Sequence, residues 1–135
     1  MKKIIALAVA LLIPSLLSAD TKNGFSSVRK VAANSNNSTL VSARNGRLIS
    51  VTVCAGTAAV GYLKLYDKST APTCGTDTPI LVVNTTATIG SCQHLLLGAG
   101  LAFRNGLGYC MVTGVADSDN TSVALNQMVA TIGYE

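Results

Sequence analysis

From Arg47 to Ala55 the chain reads RLISVTVCA, in which Leu48, Ser50, Thr52 and Cys54 alternate with Ile49, Val51 and Val53. A period of two sends alternate side chains to opposite faces of an extended segment, so this stretch predicts a half-buried β-strand with Ile49, Val51 and Val53 inward. Cys54 then falls on the less apolar face or at the strand end. VGYLKLYDK repeats the pattern, with Tyr62, Lys64 and Tyr66 opposite Leu63, Leu65 and Asp67.

Turn formers punctuate these runs. TLVSA reads as a short strand, and the Asn45-Gly46 pair that follows it is a hairpin signal toward the next strand. The stretch KSTAPTCGTDTP interrupts regular pairing, because Pro72 and Pro79 lack the ladder N–H and Gly75 favours a turn. ILVVNTTATI, CQHLLLG and LAFRNGLGYCMVTG supply further short strands, with Arg104-Asn105-Gly106 as another turn. SVALNQMVATIGY reads as a last strand on its Val, Thr and Ile ending. Apolar residues make up 49% of the chain and aromatics 4%, with no Trp, so the core must come from aliphatic side chains that suit strands. Seven or eight short strands separated by turns predict an all-β fold, an antiparallel β-sandwich of jelly-roll type.

The organisation is that of one domain, since 135 residues leave no room for a second core. The opening MKKIIALAVALLIPSLLSAD has a basic start, an apolar run from Ile4 to Leu17, and small residues before Asp20. Residues 1–19 are therefore expected to be a signal peptide cleaved after Ala19, or else an apolar N-terminal arm. The run is shorter than the roughly 18 residues of a spanning helix and contains Pro14, so membrane contact is expected only through this segment before cleavage. Residues 20–39 are polar and rich in Asn and Ser, which predicts an extended arm leading into a sandwich over residues 40–135.

Loss of Lys2 and Lys3 with the leader lowers the formal charge from +4 to +2, too little for a nucleic-acid partner, and the scattered lysines and arginines read as solubilising. The four cysteines, Cys54, Cys74, Cys92 and Cys110, behind an export signal predict two disulfides, with three connectivities open. Neither their spacing nor the single histidine, His94, fits a zinc site. His94 has no GxSxG motif to serve, and no cofactor is expected. Asp117, Asp119 and Asn120 offer oxygens but lack the remaining positions of a calcium loop, so a solvated turn is the expected structure. Asn36, Asn37, Asn84 and Asn120 each begin an N-x-S/T triplet, which matters only in a glycosylating host. No nucleophile and base are paired, so no enzymatic activity is expected.

YLKLYDKSTAPTCGTDTPIL and GLAFRNGLGYCMVTGVADSDNTSVALNQMVATIGY together resemble a small β-sandwich domain found in tailed-phage virion proteins of the head-decoration or fibre-like kind. The resemblance spans about Thr39 to Tyr134. It implies a non-enzymatic virion protein, a capsid decoration, cement or fibre-like subunit, that contacts a major capsid protein or another virion protein and forms a homotrimer or other homo-oligomer. The cysteines and the leader depart from that pattern and imply a version adapted for export to the periplasm or outside the cell. The alternative is a secreted bacterial surface or carbohydrate-binding module, for which Tyr62, Tyr66, Tyr109, Tyr134, Phe25 and Phe103 are the candidate stacking aromatics. In this picture the Pro72 to Pro79 segment is a crossover at one end of the sandwich, tied by Cys74 to a neighbouring strand, and the expected bridges are Cys54–Cys110 and Cys74–Cys92.

Overall fold

A computed structural model describes residues 24–135; the leader and its cleavage site lie outside the described residues. Among the described residues there are eight strands: β1 (Ser26–Val31), β2 (Thr39–Ser42), β3 (Gly46–Ala55), β4 (Tyr62–Asp67), β5 (Leu81–Asn84), β6 (Cys92–Phe103), β7 (Leu107–Val112) and β8 (Met128–Tyr134). They form two four-stranded sheets in the orders β1-β8-β3-β6 and β2-β7-β4-β5, with every pairing antiparallel. Every connection except β4–β5 passes from one sheet to the other. This is the expected antiparallel sandwich, with the eight-stranded wiring of a jelly roll.

The core lies between the sheets. Val51 and Val53 of β3 point into it as the alternation predicts, and they meet Leu63 and Leu65 of β4, Tyr109 and Met111 of β7, and Ala130 and Ile132 of β8. Leu48 breaks the parity: it is fully buried instead of lying on the outer face with Ser50. The cause is a bulge. Leu48 opposes Tyr134 while Ser50 opposes the adjacent Gly133, so β3 carries one extra residue there and its faces switch. Ile49, expected inward, is left half buried beside Gly100.

One turn signal and the segment read as an arm have a different role from the expected one. Asn45-Gly46 does not close a hairpin, because β2 and β3 belong to different sheets and the chain crosses the sandwich there. The residues read as an arm enter the fold: Ser26–Val31 pairs with β8 from Ser26↔Tyr134 to Val31↔Val129 as an edge strand, and Ala32 is buried. Polar composition is compatible with this position, since only one face of an edge strand can touch the core.

Candidate interaction surfaces and the residues that brace them

The segment after β4 returns to pair with its own neighbour, β5, and it does not sit at an end of the sandwich. Residues 68–80 lie across the outer face of the β2-β7-β4-β5 sheet. Cys74 is bonded to Cys110 of β7, and both pack with Tyr66 and Val112, and with the half-buried Tyr62, in a second small core on that face. The Pro72 carbonyl accepts from the Ser38 hydroxyl, and the Ile80 N–H donates to the Leu65 carbonyl at 2.7 Å. A salt bridge of 2.6 Å joins Lys68 to Asp77, whose carboxylate also accepts from the Thr73 N–H at 2.6 Å. The Lys68 ammonium, helped by that N–H, holds the Asp77 carboxyl below its ordinary pKa.

A second loop, residues 113–121, covers the rest of this face. Lys64 was expected to be a solubilising surface group, yet it is fully buried, and its ammonium donates to the carbonyls of Ala116 at 2.5 Å and Asp119 at 3.0 Å. The Asp119 carboxylate accepts from the N–H groups of Gly114 and Thr121 and so shapes the turn it belongs to. The two loops meet where Gly75, at φ 80°, approaches the Ser118 carbonyl. Covering both loops' strands in this way buries β7 along its whole length.

Asp67 braces the β6–β7 turn. Its carboxylate accepts from the N–H groups of Arg104 (2.9 Å), Asn105 (2.7 Å) and Gly106 (3.3 Å). Burial works against the charge, and these donors outweigh it, holding the carboxyl below its ordinary pKa. Tyr66 shows the opposite balance: burial first, then the negative charges of Asp77 and Asp117, push its phenol up. The Tyr66 hydroxyl is buried with no hydrogen-bond partner among the described residues.

The bridges are Cys54–Cys92 and Cys74–Cys110, so two disulfides form as expected and the expected pairing is wrong. Register explains it. Cys54 lies directly opposite Cys92 in the β3–β6 ladder, and Cys110 lies under the loop that carries Cys74. Cys54 and Cys110 stand on strands of different sheets.

On the outer face of the β1-β8-β3-β6 sheet the described residues form no second small core like the one around Cys74. Along this face run Arg29, Thr131, Thr52 and His94 as one cross-strand row, with the Thr52 hydroxyl and His94 Nδ1 hydrogen-bonded at 2.6 Å. His94 is exposed. At the β5–β6 side of the sandwich, a cleft of about 240 Å³ opens between Val82, Val83 and Asn84 on one strand and Gln93, His94 and Leu95 on the other. Asp117 and Asn120 are exposed on the turn read from the sequence, and no group of three or more His, Cys, Asp or Glu residues among the described residues is placed to hold a metal ion. Of the triplet asparagines, Asn84 and Asn120 are exposed, whereas Asn37 is tied by its side chain to Ala33 and Ser35.

Of the six aromatics, Phe25 alone is exposed, at 62%. Tyr66, Tyr109 and Phe103 are core residues, and Tyr62 and Tyr134 are half buried. Lys64 was missed because a lysine in an alternating strand reads as solvent-facing. The signal that could have found it is its position between Tyr62 and Tyr66 on a face that a long cysteine-bearing loop follows. Neither a scan against protein-family models nor a search of curated proteins finds a match for the chain.

Proposed function

We propose that the protein is a non-enzymatic structural subunit of a tailed-phage virion, a capsid decoration, cement or fibre-like protein that docks on a major capsid or other virion protein. The observation that carries this reading is where the charged side chains go. Lys64, Lys68, Asp67, Asp77 and Asp119 are each engaged in fixing a loop or turn against the sandwich. Such bracing gives a surface of fixed shape, which suits repeated contact with neighbouring subunits. Jelly rolls serve viral capsid domains and lectins alike, so the fold is compatible with the reading without selecting it. The test is fractionation of phage particles from the natural host on a density gradient. Co-sedimentation of the protein at a fixed ratio to the major capsid protein supports the proposal, and protein found only free of particles overturns it.

One observation favours a second reading, a secreted bacterial surface module. Two disulfides belong to an oxidising compartment, and tailed phages assemble in a reducing one. A glycan-binding version is weakened by the burial of the aromatics, since stacking on sugars needs exposed rings. An intact mass of the natural protein before and after reduction separates the cases. A chain starting at Asp20 and lighter by four hydrogens favours export. A chain starting at Met1 with four thiols favours cytoplasmic assembly.

A further inference from the structure

The two sides of the sandwich are finished differently. On one side the free edge strands are β1, which carries Arg29 and Lys30, and β2, which has four residues, a register shift between Leu40 and Ser42, and Arg44 close behind it. Charge, shortness and irregularity are the usual means by which an edge is kept from pairing with another strand. On the other side the free edges are β5 and β6, and no Asp, Glu, Lys or Arg occurs from Thr78 to Phe103. That uncharged run supplies both edges and the loop between them. It exposes Leu96 at 69% and Ile89 at 66%.

β6 is not uniformly available. Between Leu96 and Leu101 its register against β3 shifts, with Gly98 at φ 36° and Gly100 at φ 81°, and Arg47 donates to the Ala99 carbonyl within this irregular part. The regular part, Cys92 to Leu96, is paired with β3 residue for residue, is locked at its start by Cys54–Cys92, and among the described residues has no strand on its other edge.

We propose that this part of β6 is a self-association edge, pairing antiparallel with β6 of a second copy of the chain about a two-fold axis. The occupant follows from charge. The chain is net positive, +4 with its leader and still positive without Lys2 and Lys3, so two copies repel on average. In a two-fold contact the same patch lies on both sides, so a patch carrying one sign of charge meets that sign, and like charges facing each other across strands are unfavourable. The β5–β6 side is where a copy can approach its twin without that opposition, and the ladder N–H and C=O groups of a free edge supply the bonds. Pairing also draws Leu96 out of water and covers the mouth of the cleft beside Leu95. The inference does not depend on the virion reading; a secreted module with this edge would dimerise in the same way.

The test uses the mature full-length protein with its disulfides intact. Light scattering across a concentration series is expected to give twice the chain mass, and hydrogen exchange is expected to slow, as concentration rises, at the alternate amides between Gln93 and Leu96 that face away from β3. Leu96→Lys and Leu96→Glu each add one sign of charge to both halves of a patch that faces itself, and bury it against the uncharged edge, so each is expected to weaken the dimer by about tenfold or more. Mixing the two variants restores a dimer containing one of each. Ser27→Asn, on the opposite edge and without change of charge, leaves association unchanged. Thermal unfolding of each variant serves as a folding control, since Leu96 is exposed. A wild-type protein that stays monomeric, or an oligomer untouched by both Leu96 variants, overturns the proposal. So does an oligomer that leaves these amides unprotected, which would mean that a different surface makes the contact.

Discussion

The ring of Pro72 lies against the backbone of Gly108, so close that a Cβ on Gly108 would stand 2.7 Å from the proline Cδ and 3.2 Å from the Thr39 carbonyl oxygen. The loop after β4 therefore sits on β7 because one residue of β7 has no side chain. Gly108→Ala is expected to lower stability by about 1–3 kcal/mol, since neither the ring nor the backbone can give without shifting the loop. Urea unfolding with the disulfides intact measures it. An unchanged midpoint would mean that the loop rides on the sheet without being seated there.

Lys64→Met keeps most of the side-chain volume and removes the donor to Ala116 and Asp119. The expected loss is about 1.5–3 kcal/mol, as for hydrogen bonds made by a charged group. New proteolytic cleavage between residues 113 and 121 should accompany it. Wild-type resistance in that loop would show that the ammonium does not hold it.

Tyr66→Phe should behave in the opposite way from most core changes. The Tyr66 hydroxyl is buried and has no partner among the described residues, so deleting it removes a desolvation penalty while leaving the ring in place. Stability is expected to rise by up to about 1 kcal/mol. A clear loss in calorimetry would mean that the hydroxyl has a partner in solution.

Asp67 gives the pH dependence a sign. Its folded carboxyl titrates below 3.8, so its contribution is complete above that value and is lost as pH falls through the lower, folded one. Asp67→Ala is expected to cost about 1 kcal/mol at neutral pH. The gap between variant and wild type should shrink below about pH 4. Denaturation midpoints taken from neutral to acid pH provide the check, and a gap that stays constant would remove the carboxylate charge from the account.

The two disulfides should differ in reach. Cys92 is exposed, whereas Cys74 is 6% exposed and Cys110 fully buried. Mild reduction of the native protein followed by alkylation is expected to label Cys54 and Cys92 first, as read by peptide masses. Removing the other bridge with C74A/C110A should lower stability by about 2–4 kcal/mol, the usual worth of a bridge that closes a loop of this size. Earlier labelling of Cys74 and Cys110 would contradict the packing of that loop.

Local pattern carried much of the fold. Alternation over Arg47–Ala55 and Tyr62–Asp67 marked strands because a period of two is a property of each strand alone, and the even cysteine count behind an apolar leader marked two bridges. The bulge at Ile49 defeated the same reading at Leu48, since one inserted residue puts the residues on its two sides out of phase and leaves no mark in composition. The uncharged run from Thr78 to Phe103 was in plain view, but without sheet order nothing showed that it forms one side of the molecule.

An antiparallel sandwich is already written in side-chain periodicity and turn chemistry, because both are set by neighbours along the chain. That its core also takes in Phe103 and Tyr109, that Cys54 bonds Cys92 and that Asn45-Gly46 crosses between sheets came only with the packing of the strands. So did the burial of Lys64 under a loop and the place of β6 at the end of its sheet. Those outcomes depend on which strands lie side by side, a choice made by packing energies between residues tens of positions apart.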